Sequence, residues 1–177
     1  DVLFGDYNPA GRLPVTFYKS DSDLPGFGDY SMNGRTYRYF KGEALYPFGY
    51  GLSYTRFNYS NLVVTPQLKK GINAKVTVTV KNTGTRSGEE VVQLYASHQG
   101  LQHAPIKALK GFQRITLKAG ERKNITFIVT PEQLSVVGED GKLYQPSGKI
   151  SISAGGGQPG VKNKTTGNVV TKQIIIQ

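Results

Sequence analysis

The chain has 177 residues, no cysteine, 19 tyrosines and phenylalanines, and a net charge of +10. Without cysteine there is neither a disulfide frame nor thiolate chemistry, and no apolar run approaches the length needed to span a membrane. The excess charge falls short of a nucleic-acid footprint: residues 1–60 are balanced, with six basic and six acidic side chains. In residues 61–177, Lys75, Lys81, Lys118, Lys142, Lys149 and Lys162 are scattered over strand faces and turns, where lysine guards sheet edges.

Residues 1–60 hold nine of the eleven tyrosines and six of the eight phenylalanines. They are rich in Gly and Pro and follow neither a helical nor a strand period, so they read as a long ordered loop, of the kind that lies over another surface. The opening "DVLFG" has no signal-peptide pattern and reads as the tail of an element that starts upstream. The densest stretch is "LYPFGYGLSYTRF", residues 45–57, whose rings need a surface to cover them. Tyr46, Phe48, Tyr50, Tyr54 and Phe57 are expected to be largely buried against the sandwich or against a partner surface, with the part before Gly34 more exposed.

From Leu62 the pattern changes to alternation. "AKVTVTVKN" puts Ala74, Val76, Val78 and Val80 on one face and Lys75, Thr77, Thr79 and Lys81 on the other, a half-buried strand. "EEVVQLYAS", "KNITFIVT", "GKISISAG" and "NVVTKQIII" follow suit, separated by turns at Lys118-Ala-Gly-Glu, Glu139-Asp-Gly and Pro146-Ser-Gly. About seven short strands predict a two-sheet β-sandwich. The fold class is therefore all-β, an immunoglobulin-like sandwich of the fibronectin type III kind over 61–177, preceded by the loop-rich aromatic segment 1–60.

Catalytic signatures are weak. His98 and His103 have no carboxylate nearby and fall short of a zinc set. Asp21 and Asp23 lack the remainder of a calcium loop. "GDYSMNG" and "GGGQPG" lack the Lys-Ser/Thr of a phosphate cradle, and Ser53 has Thr55 where a nucleophile elbow needs Gly. Glu89 and Glu90 read as a polar strand edge. The sequons at Asn58, Asn124 and Asn163 read as chance matches in a chain rich in Asn, Ser and Thr. No catalytic residue, metal ligand or cofactor site is expected.

"DVLFGDYNPAGRLPVTF", "MNGRTYRYF" and "ALYPFGYGLSYTRFNYSNL" resemble the C-terminal part of family 3 glycoside hydrolases, in a form most similar to the β-xylosidase branch. "VKNTGTRSGEEVVQLYAS", "PIKALKGFQRITLKAGERKNITFIVTPEQLS" and "DGKLYQPSGKISISAGG" resemble the fibronectin type III-like domain that ends many of them. The resemblance implies that residues 1–60 are the tail of an α/β sandwich domain plus linker, with Tyr46, Phe48, Tyr50, Tyr54 and Phe57 sealing the interdomain junction and Gly49 and Gly51 allowing backbone turns that a Cβ would resist. It also implies that a barrel and that α/β domain, with the catalytic carboxylates, lie elsewhere in the polypeptide. The chain is then an accessory piece of an exo-acting β-xylosidase or β-glucosidase, inactive alone and exported to the periplasm or cell exterior. Its partners are the catalytic domains of the same polypeptide, with an oligosaccharide substrate only in the full enzyme. A polysaccharide-binding role for the basic sandwich face is the alternative. Arg35, Tyr37, Arg38 and Tyr39 either reach the sugar cleft or fill an interdomain contact, where Arg and Tyr are common; the second is preferred.

Overall fold

The computed structural model describes residues 1–102, 104–161 and 167–177; His103, Lys162 and Asn163 lie outside them. Alternating apolar residues build two antiparallel sheets. One has the order β1-β2-β5, formed by β1 (Phe57–Val64), β2 (Ala74–Asn82) and β5 (Arg122–Val129). In the other, β3 (Gly88–His98) and β4 (Ala108–Leu117) join β8 (Gly148–Gly155) and β9 (Val169–Ile176) in the order β4-β3-β8-β9. A small hairpin pairs β6 (Val136–Val137) with β7 (Leu143–Tyr144). The chain crosses between the sheets from β2 to β3 and again from β4 to β5.

The inward residues form one core. Val76, Val78 and Val80 of β2 meet Val92 and Leu94 of β3, with Ile125 and Val129 of β5 and Ile150 and Ile152 of β8. Their outward neighbours pair across the surface, as where Thr79 Oγ1 donates to Asn124 Oδ1 at 2.9 Å. At the β2–β3 crossing Asn82 is buried but satisfied. Its amide donates to the carbonyls of Arg86 and Leu117, and its Oδ1 accepts from Thr55 Oγ1 and Gly84 N. Where β1 and β9 meet, the Asn168 side chain acts as a peptide group, accepting from Tyr59 N at 2.7 Å and donating to Tyr59 O at 2.9 Å.

Two strands depart from simple alternation. β1 starts at Phe57, so the boundary expected after residue 60 falls inside a strand. Its register shifts between Ser60 and Val63, where Asn61 has a φ of 51°. The pairing of β3 with β4 shifts between Leu94 and Tyr95.

The segment before β1 has little regular structure: a 3₁₀ turn at Asp21–Asp23 and one helical turn, α1, at Thr36–Tyr39. Its two arms pair instead. Leu13 N donates to Tyr50 O, Gly49 N to Leu13 O and Phe17 N to Tyr46 O, at 2.7 to 2.9 Å. The folded-back loop lies on the outer face of the four-stranded sheet.

Candidate functional site

Alternation gives β3 two buried faces. Val92 and Leu94 point into the core, while Gln93 and Tyr95 point outward yet are equally buried, because the leading segment covers them. Tyr37 of α1 stacks on Phe48 with ring centroids 4.1 Å apart and meets Tyr95 edge-on at 6.2 Å. Its hydroxyl accepts from Leu109 N at 3.1 Å. Gln93 Nε2 donates to the carbonyls of Gly49 and Gly156, and Tyr95 Oη donates to Gln93 Oε1 at 2.6 Å. Gln158, from the stretch read above for phosphate binding, donates to Phe48 O at 2.8 Å.

Gly49 is required at this contact. Its φ is +78°, and a Cβ there would collide with the Gln93 carboxamide. At Gly51 the cause is closeness alone, since a Cβ would meet the Gly11 carbonyl and the Arg12 side chain.

A second tie lies at the end of the core. Glu90 is 0% exposed. Its Oε2 accepts from Arg12 Nη2 at 3.0 Å and its Oε1 from Tyr59 Oη at 3.1 Å. Burial pushes the carboxyl up to about 7, against the opposing pull of Arg12 and the hydrogen bonds. Burial, with the Glu90 charge, also raises the Tyr59 phenol. Glu90 is thus no strand-edge residue, contrary to the expectation from sequence: it shares the inward parity of Val92, and Arg12 seals it from water. Glu89 is the surface member, paired with Arg114 at 2.7 Å.

The remaining sequence candidates are spread out. Arg35 turns into its own loop, donating to the carbonyls of Ser31 and Asp29. Arg38 is exposed, its guanidinium 5.8 Å from the Tyr39 ring centroid, and its carbonyl accepts from Ile106 N. Of the aromatic stretch, Phe57 is in the core and Phe48 and Tyr50 are half-buried. Tyr46 and Tyr54 are 44% and 49% exposed, so the sandwich, one of the two covers expected for them, does not bury either. Their partners belong to the leading segment and not to the sheet: Tyr46 touches Phe17 and Tyr50, and Tyr54 Oη donates to Val2 O.

Before Gly34 most of the large apolar side chains stand in the open, with Phe4 88%, Phe27 99% and Tyr30 90% exposed. Among the described residues no group of three or more His, Asp or Glu is placed to hold a metal, and no helix is long and apolar enough to cross a membrane. Glu90 has no access to a substrate, and Ser53 is tied to Asn8 Oδ1.

Two family models match the chain. Residues 1–54 match the glycosyl hydrolase family 3 C-terminal domain and residues 90–158 the fibronectin type III-like domain. A xylan 1,4-β-xylosidase of Xylanibacter ruminicola is 50% identical over 134 residues, 76% of this chain and 15% of the relative. A periplasmic β-glucosidase of Salmonella typhimurium is 39% identical over 88% of this chain and 22% of its own length. The crystal structure of a β-D-glucoside glucohydrolase from Trichoderma reesei superposes with a TM-score of 0.83 at 30% identity, over 100% of this chain and 28% of that one. The chain therefore spans between 15% and 28% of the length of these proteins.

Proposed function

From the premise that this chain belongs to the C-terminal region of glycoside hydrolase family 3, with its fibronectin type III-like domain, we propose that it is the non-catalytic docking end of an exo-acting β-glycosidase. Its substrates would be saccharides with terminal β-linked xylose or glucose. The observation that carries this reading is the two-sidedness of residues 1–56. One side is fixed to the sandwich through Tyr37, Phe48, Gly49 and Arg12; the other presents Leu3, Phe4, Phe27 and Tyr30 to solvent. Exposed apolar side chains in such number mark a contact surface. The occupant we assign is the catalytic part of the same polypeptide, in keeping with the relatives' greater length. The sandwich then acts as a rigid back-plate holding the loop against those domains. An exported location belongs to the same proposal, supported by the periplasmic relative.

The purified chain should release no nitrophenol from nitrophenyl β-xyloside or β-glucoside above a boiled control; turnover overturns the non-catalytic assignment. It should co-elute with the catalytic part of the Xylanibacter ruminicola xylosidase prepared without its matching region. Separate elution at micromolar concentrations overturns the docking assignment.

A further inference from the structure

Where β3 pairs with β4, Leu94 faces Gly111 and Tyr95 faces Leu109, leaving Lys110 as the extra residue of a bulge. Bulges re-aim a side chain and bend the strand that carries them. Lys110 lines a cavity of about 130 Å³, together with Arg38, Tyr39, His98, Val136 and Leu143. No Asp or Glu is among the lining residues, and neither Arg38 nor Lys110 has an ion-pair partner among the described residues. Burial and the neighbouring Arg38 charge hold the Lys110 ammonium below its usual pKa. Burial likewise lowers His98, whose Nε2 lies 2.9 Å from the Leu134 carbonyl. Cations gathered without a counter-charge destabilise one another, and an anion placed between them reverses that.

The rest of the wall narrows the class of anion. Val136, Leu143 and the Tyr39 ring offer apolar surface, which a phosphate or sulfate does not use. A sugar acid has both features: a pyranose C–H face for the apolar wall and a carboxylate that arginine and lysine bind with charge-assisted bonds. We propose that this cavity binds a hexuronic acid, with its carboxylate held between Arg38 and Lys110 and its ring against Val136 and Leu143. Arg38 and Tyr39 follow Tyr37 on α1, so the Tyr37–Phe48 contact fixes this wall of the cavity, while sugar-acid binding needs no catalytic part and is tested independently of the docking role.

Titrating the 177-residue chain with sodium glucuronate, followed by amide NMR and calorimetry, tests this. Saturable, salt-sensitive shifts are expected at residues 104–110 and 135–137, with none from glucose. Arg38→Gln and Lys110→Met should each weaken binding about tenfold, the loss of one charge-assisted bond. Arg38 is exposed, so its variant keeps the fold if the Lys110 variant does not. Three results overturn the proposal: glucuronate giving no more shift than glucose, binding unchanged in Arg38→Gln, or inorganic phosphate binding as tightly as glucuronate.

Discussion

Replacing Arg12 with Met removes the guanidinium facing Glu90 while leaving a long apolar side chain in its place. Glu90 in the folded chain titrates near 7, against an ordinary value of 4.5. Because the folded value is the higher, Glu90's contribution to stability is whole below about pH 4.5 and is lost as pH rises through about 7. Removing Arg12 raises the folded value further, so in the variant the loss continues to higher pH. In mild acid Glu90 is protonated in both proteins, and the change sacrifices mainly the Arg12 bonds to Glu90 and to the carbonyls of Ala10 and Gly11, about 1–2 kcal/mol. Above neutrality the parent carboxylate ionises against its partner, whereas the variant must hold its proton at about 1.4 kcal/mol per pH unit. Near pH 9 this adds about 2.7 kcal/mol, and the total of about 4 kcal/mol agrees with the range for breaking a buried ion pair. Urea unfolding followed by far-UV circular dichroism, near pH 5.5 and near pH 9, reads both values; other titrating groups cancel between parent and variant. A destabilisation equal at the two pH values, or larger in acid, refutes the reasoning.

Three further outcomes follow from the same contacts. Tyr37→Ala removes the stack on Phe48 and the edge contact with Tyr95 and should cost about 2–4 kcal/mol, with residues 1–56 becoming sensitive to limited proteolysis; Tyr37→Phe should cost only about 1 kcal/mol by the same unfolding measurement. Gly49→Ala should destabilise by at least about 1 kcal/mol, through positive φ and the collision with Gln93, whereas Gly11→Ala, with open space around it, should stay within about 0.5 kcal/mol. The double change Phe4→Ser and Phe27→Ser should leave the thermal midpoint unaltered, since both rings are exposed, yet abolish co-elution with the catalytic part described above.

Five strands are legible in the sequence, β2, β3, β5, β8 and β9, with the plainest alternation in β2. β4 was missed because only Ala108, Ile115 and Leu117 of its residues are buried, so "LKGFQR" carries no period. β1 was hidden in the aromatic stretch, with its alternation broken at Ser60–Val63. Glu90 was misjudged because its solvent is removed by Arg12, 78 residues earlier, and no local pattern reports a partner so distant. For Tyr46 and Tyr54 the sequence leaves the cover open between sandwich and partner, because aromatic density gives the area to be covered and not the cover. The family motifs contain Tyr37 and Phe48, whose rings stack in the structure; the bulge that turns Lys110 into its cavity leaves no sequence signal.

The leading segment's contacts reach far forward along the chain: Phe48 is held by Gln158, 110 residues later. On a ribosome adding about 5–20 residues per second, that partner emerges roughly 5–20 s after the carbonyl it holds. Throughout that interval fifteen aromatic side chains of residues 1–60 are synthesised with no sheet to lie against. Residues 1–56 are thus made before the sheet they settle on, and the nascent protein presents a sticky, Gly- and Pro-rich stretch for as long as the sandwich is incomplete. A holdase chaperone acting on the nascent chain should therefore be found on residues 1–56 and be released once β8 has paired with β3.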